Sequence, residues 1–257
     1  MSRWVPAPFA DSPPLDADRV RALWAQLHRG DAEPLPNDPE LFAAWVLFHN
    51  GHFEDAALAG QALGARGATL ANKATCVYAN YVEPREKNRL DLFMVAAERA
   101  LAQQNAQPIN PNAWYWQGYA LGRYSQGISV AKALAMGLGA RVRAALEHTL
   151  ELAPDHADAH LALGNFHAEV IDKVGAMIGG MTYGVRKDAG LEHYQRARQL
   201  NPESTVTLTE YANGLLMLDG ERRLPEAMVL MEQASAIEPL DAMDRLYLES
   251  ARMDLGA

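Results

Sequence analysis

The chain has almost no cysteine: Cys76 stands alone among 257 residues. An intrachain disulfide and a cysteine-built zinc site are therefore excluded. In its setting, Cys76-Val77-Tyr78, a lone thiol reads as a small core hydrophobe. Positive charge is also scarce. Lys and Arg number 23 against 32 Asp and Glu, a formal net charge of -9. Without a basic run or stripe, such a chain lacks the electrostatic footprint of a nucleic-acid or anionic-membrane binder. Long apolar runs are missing too. The longest weakly polar stretch, 174–185, falls short of the roughly 20 residues a membrane span needs, and Asp172, Lys173, Arg186 and Lys187 bracket it. The first residues carry prolines and Asp11 where a secretory signal would need an unbroken apolar core, so the expected location is cytoplasmic.

Catalytic signatures are equally thin. There is no Gly-Lys-Ser/Thr phosphate loop and no nucleophile elbow, and Gly137-Leu-Gly139 follows no strand. Glu54 and Asp55 are adjacent on a helix and face different ways. His156 and His160 lie one helical turn apart, with His167 two turns on, which is a zinc-compatible spacing. The glutamate that the metalloprotease helix places beside such a pair is absent. A non-enzymatic protein without cofactor or metal is expected.

About half of the residues are apolar, and Ala and Leu dominate over the β-branched types. That balance favours helix, because β-branched side chains lose rotamer freedom there and gain packing in sheets. Residues 1–15 read as an irregular segment and 16–257 as a single helical domain. Asp16 or Asp18 can cap a first helix carrying Val20, Leu23, Trp24 and Leu27 at helical spacing. From Glu40 the pattern is helix, break, helix. The breaks fall at Gly51, Gly64 to Gly67, Pro84, Pro108 to Pro111, Pro154, Pro202, Gly220 and Pro239. Glycine supplies positive φ at a helix end and proline cannot continue one. No alternating apolar and polar stretch indicates a strand.

Three stretches align internally: Trp114-x-x-Gln117-Gly118-x-x-Leu121, His160-x-x-Leu163-Gly164-x-x-His167 and Leu208-x-x-Tyr211-Ala212-x-x-Leu215. Each puts a small residue where a neighbouring helix must come close, with Trp114, His160 and His167 at the aromatic core positions. Each is followed by a second helix ending at Pro154, Pro202 or Pro239. At these residues, most clearly over 111–239, the chain resembles the tetratricopeptide repeat superfamily. The family's unit is about 34 residues, whereas Gly118, Gly164 and Ala212 lie 46 and 48 apart. The excess sits in Gly-, Ala- and Met-rich insertions at 125–140 and roughly 170–186. Long-insert repeats of this kind are similar to those of the regulators of microtubule dynamics and of bacterial helical-repeat proteins associated with tripartite (TRAP) transporters. The resemblance implies an all-α fold, an α-solenoid of antiparallel helix pairs in a right-handed superhelix. It also implies a capping helix at 241–255, with Met243, Leu246, Tyr247 and Ala251 turned inward.

The resemblance further implies a scaffold that binds a protein partner, here unidentified, as a peptide or helix on its concave face. Tyr115, Tyr119, Asp158, Leu161, Asn165, Thr209 and Asn213 would line that face. Asn165 and Asn213 occupy equivalent places, one residue after Gly164 and Ala212, where an amide can hold a peptide backbone. Leu161 and Thr209 stand where a clamp for a C-terminal carboxylate would need a cation. A rival reading takes the insertions as an apolar pocket for a small molecule or lipid, walled by Met136, Met177, Ile178 and Met181. A third takes them as extra turns that fill the core.

Overall fold

The computed structural model describes residues 4–8 and 14–254. The expectation of an irregular N-terminal segment falls partly on residues 1–3 and 9–13, outside the described ones. So does Leu255, the end of the expected capping helix. Among the described residues every regular element is helical. The first four α-helices are α1 (Ala17–Leu27), α2 (Pro39–His49), α3 (Phe53–Ala62) and α4 (Ala68–Tyr81). The middle of the chain forms α5 (Glu86–Ala106), α6 (Pro111–Gln126), α7 (Val130–Ala135), α8 (Leu138–Leu152) and α9 (Ala157–Val174). Then follow α10 (Ala176–Tyr183), α11 (Lys187–Leu200), α12 (Thr205–Asp219), α13 (Leu224–Ser235) and α14 (Ala242–Asp254).

The helix starts are written in the sequence. The Asp16 carboxylate accepts from Arg19 N at 2.7 Å and so satisfies a donor that α1 leaves free. Asp38 precedes α2 and Asn110 precedes α6, and in both a proline occupies the first helical position, where its missing N–H costs nothing. The cap of α9 is His156, whose Nδ1 accepts from Ala159 N at 3.1 Å.

Three apolar clusters form the core. The first gathers Trp24, Phe42, Trp45, Phe48 and Tyr78 from α1, α2 and α4. The second gathers Phe93, Trp116, Leu121, Leu138, Leu146 and Leu163 from α5, α6, α8 and α9. The third gathers Tyr194, Tyr211, Leu215 and Leu230 from α11, α12 and α13. The helices of the middle and last clusters meet at small residues. A side-chain carbon on Gly164 would lie 2.8 Å from the Tyr194 ring, and one on Gly118 2.9 Å from Leu146. Glycine lets these axes approach.

The last helix joins the two ends of the chain. Ala242, Met243 and Leu246 of α14 belong to the first cluster, while Ala251 belongs to the third. α14 touches α12 and α13 before it and also α2 and α4 at the other end of the chain. The N-terminal segment packs as well, Trp4 stacking on Tyr78 at 4.2 Å. Trp114, expected in the core, is instead half-buried at the edge against His148, and Trp116 takes the inner position.

The insertions reach the core mainly at their ends, where Leu138 and Val185 are buried in the second cluster; α7 buries no side chain, and α10 buries only Gly179. Met177, Ile178 and Met181 are strongly exposed, and Met136 is half-buried against the second cluster. No helix among the described residues is long and apolar enough to cross a membrane.

Candidate functional site

Two polar constellations stand out, one sealed and one open. The sealed one joins the two ends of the chain. Asp31, in the loop after α1, accepts from Lys73 Nζ at 2.7 Å, and its other oxygen lies 2.9 Å from His28 Nδ1. His28 Nε2 lies 3.3 Å from His49 Nε2, and His49 Nδ1 lies 2.7 Å from Asp241, just ahead of α14. All five side chains are buried.

The protons can be counted. The run Asp31–His28–His49–Asp241 contains three hydrogen bonds, and two neutral imidazoles bring only two protons. A third proton is needed, so the imidazole pair carries one positive charge. With Lys73 it balances the two carboxylates, as a buried group must. Burial lowers the His28 pKa to about 4, outweighing Asp31. Burial works against both carboxylates. It is outweighed by Lys73 and His28 at Asp31 and by His49 at Asp241, so both stay below the ordinary range.

Beside this network, Asn112 Nδ2 donates to Asp31 O and to Glu33 Oε2, and Asn112 Oδ1 accepts from His156 Nε2 at 2.9 Å. Because His156 Nδ1 is already an acceptor, its tautomer is fixed. No substrate can reach such groups, and they act as a latch.

The open constellation is a cleft lined by α6, α8, α9 and α12, with α14 and the end of α4 beside them. A smaller polar cavity continues it, lined by Asn80, Thr209, Asn213 and Ser250, and shares Tyr81, Arg123, Glu210 and Tyr247 with it. At the far end Val130, Gly139, Val174 and Tyr183 bring the insertions to the wall.

The residues singled out for the concave face converge here. Tyr115, Tyr119, Asp158, Leu161 and Asn165 line the main cleft, and Thr209 and Asn213 line its extension. Leu161 and Thr209 are buried in its floor. Asn165 is not free: its Nδ2 donates to Glu210 at 3.1 Å, and its Oδ1 accepts from the Tyr194 hydroxyl at 2.7 Å. It braces Glu210 rather than waiting for a peptide backbone. Met136, Met177, Ile178 and Met181 are not part of the wall. The face of α10 that carries Met177, Ile178 and Met181 turns to solvent.

Arg123 Nη2 donates to Glu210 at 2.6 Å, and the guanidinium sits 5.3 Å from the Tyr119 ring centre. Glu169 accepts from Gln126 at 2.6 Å. Burial pushes the Asp158 carboxyl up to about 7, and the neighbouring Asp31 charge adds to the push. Burial also raises the phenols of Tyr81, Tyr115, Tyr119 and Tyr247, so all four stay neutral donors. Among the described residues no group of three His, Cys, Asp or Glu could hold a metal ion. His156, His160 and His167 are otherwise engaged, with Asn112, with Pro154 and His193, and with Arg186 N.

The sequence reading missed Arg123, Glu169, Glu210, Tyr81 and Tyr247. The first two had a signal: Arg123 follows Tyr115 and Tyr119 at steps of four, and Glu169 follows Asp158, Ala162 and Asn165 on one face of α9. Tyr247 was read only as an inward residue of the capping helix and Tyr81 had no signal, since the return of α14 is what brings their rings to 5.1 Å.

The fold and the cleft together define an all-helical protein with a tyrosine-lined trough on the inner side of α6, α9 and α12. No protein-family model and no curated protein matches the chain.

Proposed function

We propose that the protein is a non-enzymatic scaffold that holds a segment of a partner protein in this trough. The observation that carries the reading is its form: an open cleft that runs along α9 and is prolonged by a second, more polar cavity. Its walls mix apolar area with polar groups in file along α9, which suits alternating side chains of a bound segment better than one compact ligand.

The repeat resemblance supports the same reading. Helices α6 with α8, α9 with α11, and α12 with α13 read as successive antiparallel pairs of a tetratricopeptide-like right-handed array. The first helix of each pair lines the trough, and glycine-mediated contacts recur at matching points in the first two. The small-molecule or lipid carrier is the weaker reading, since Met177, Ile178 and Met181, offered as its walls, are exposed.

The test is selection of random displayed peptides against the wild-type protein, with Ala162→Trp as the blocked control. Ala162 lines the cleft and is half-buried, so an indole there fills space without removing a polar group. The expected outcome is an enriched peptide class whose affinity for the blocked variant drops by about tenfold or more, the scale of a lost hot-spot contact. Failure to enrich any class, or equal binding to both proteins, overturns the reading.

A further inference from the structure

We propose that the cleft contains a subsite for a primary ammonium group, formed by the Asp158 carboxylate and the rings of Tyr81, Tyr115, Tyr119 and Tyr247. The source of the amine, a lysine side chain of the held segment, rests on the peptide-binding reading; the chemistry of the subsite does not.

The argument begins with the charges of the lining. Its carboxylates are Asp158, Glu169 and Glu210, and its cations are Arg123 and Lys173. Glu210 is paired with Arg123 and further held by Asn165. Glu169 has Gln126. Asp158 alone has no side-chain hydrogen bond or ion pair among the described residues. Its backbone N–H is tied to Gly30 O at 3.0 Å, and its carboxylate lies against Gly30, where a side-chain carbon would collide with it. The nearest buried cation, Lys73, is committed to Asp31. A carboxylate left unpartnered in a protein wall is costly, and a cation arriving from the cleft would relieve it.

The surroundings favour that cation. Tyr115, Tyr119, Tyr81 and Tyr247 share the cleft with Asp158, and the Tyr247 phenol is within electrostatic reach of all four of those residues. Aromatic faces attract an ammonium through the ring quadrupole, and more so where water is excluded. The cleft already holds one such contact, Arg123 over Tyr119. A side-chain carbon on Gly30 would meet both oxygens of the Asp158 carboxylate, so the edge that a two-pronged guanidinium needs is crowded. An ammonium is a compact point charge with three donors and needs no such edge. The net charge of -9 steers cations towards the molecule as a whole.

The experiment titrates the protein with n-butylammonium chloride and, separately, with 1-butanol as the neutral analogue, following the tyrosine ring resonances. Wild type is expected to respond to the ammonium and several-fold less to the alcohol at equal concentration. Asp158→Asn, close in volume, is expected to erase that discrimination while its far-UV circular dichroism melt shows a folded protein. Tyr247→Leu, which keeps the carboxylate, is expected to weaken it. Equal response of wild type to both probes, or discrimination that survives in Asp158→Asn, overturns the subsite.

Peptides from the selection supply the second arm, with each lysine replaced by norleucine. Loss of binding on replacement supports lysine as the source. Peptides that tolerate replacement, together with no ammonium discrimination, sink the subsite and leave the peptide trough standing. Discrimination without any enriched peptide keeps the subsite and sinks the peptide trough.

Discussion

At the scale of the residue, the protein keeps several ionisable groups where water scarcely reaches, and their protonation is coupled to folding. Glu33 accepts from Asn112 at 2.7 Å and lies near Asp31 and Lys73. Burial, reinforced by the Asp31 charge, raises its pKa from 4.5 to about 8. The folded protein therefore retains a proton on Glu33 that the unfolded chain releases, and this costs stability as pH rises from 4.5 towards 8. His28 and His156 act in the opposite sense. Burial lowers both from 6.5 to about 4, so their contribution is present above 6.5 and is lost as pH falls towards 4. Glu33→Gln keeps an acceptor for Asn112 and removes the carboxyl proton. Urea unfolding should find this variant close to wild type near pH 4.5 and more stable than it by ~2 kcal/mol near pH 8. A gap that is the same at both pH values would show that Glu33 does not titrate in this way.

At the scale of the element, much was legible before the fold was known. The helix breaks at Gly51, Pro84, Pro154 and Pro202 fall between helices, and Gly220 ends α12 and opens a short 3-10 turn, since proline and glycine act within one turn of themselves. Gly118 and Gly164 were legible as close approaches because they recur in register. What stayed hidden depends on the far side of a contact. Nothing local tells that Trp114 faces the edge and Trp116 the interior, or that α10 turns Met177 and Met181 to solvent. The two kinds of position should differ sharply in tolerance. Gly164→Ala drives a methyl into the fully buried Tyr194 ring and should cost ~1–3 kcal/mol in thermal or urea unfolding. The double change Met177→Ser and Met181→Ser should stay within about 0.5 kcal/mol of wild type. Were the methionine pair to cost as much as Gly164→Ala, α10 would have to be packed, contrary to its exposure.

At the scale of the whole molecule, the decisive contact is between residues 192 apart in sequence, His49 with Asp241. It was invisible to a periodicity argument, because repeats specify neighbours along the chain and not where the last helix returns. A linear array of repeats is stabilised by nearest-neighbour interfaces, so a lesion at one end melts that end first. Here α14 contributes side chains to both the first and the third apolar cluster, and the latch it closes carries a balanced set of buried charges. Asp241→Asn removes one carboxylate from that balance and leaves the proton of the His28–His49 pair uncompensated. The loss should be ~3 kcal/mol, the scale of breaking one side of a buried pair. Its distribution tells more than its size. Trp24 and Trp45 report on the first cluster and Trp116 on the second, while far-UV circular dichroism reports on all helices. If closure makes the ends one cooperative unit, urea curves from tryptophan fluorescence and circular dichroism will shift together in Asp241→Asn and remain superimposable. A fluorescence transition that runs ahead of the circular dichroism would mean that the N-terminal helices unfold alone, and that α14 ends the chain without coupling its two ends.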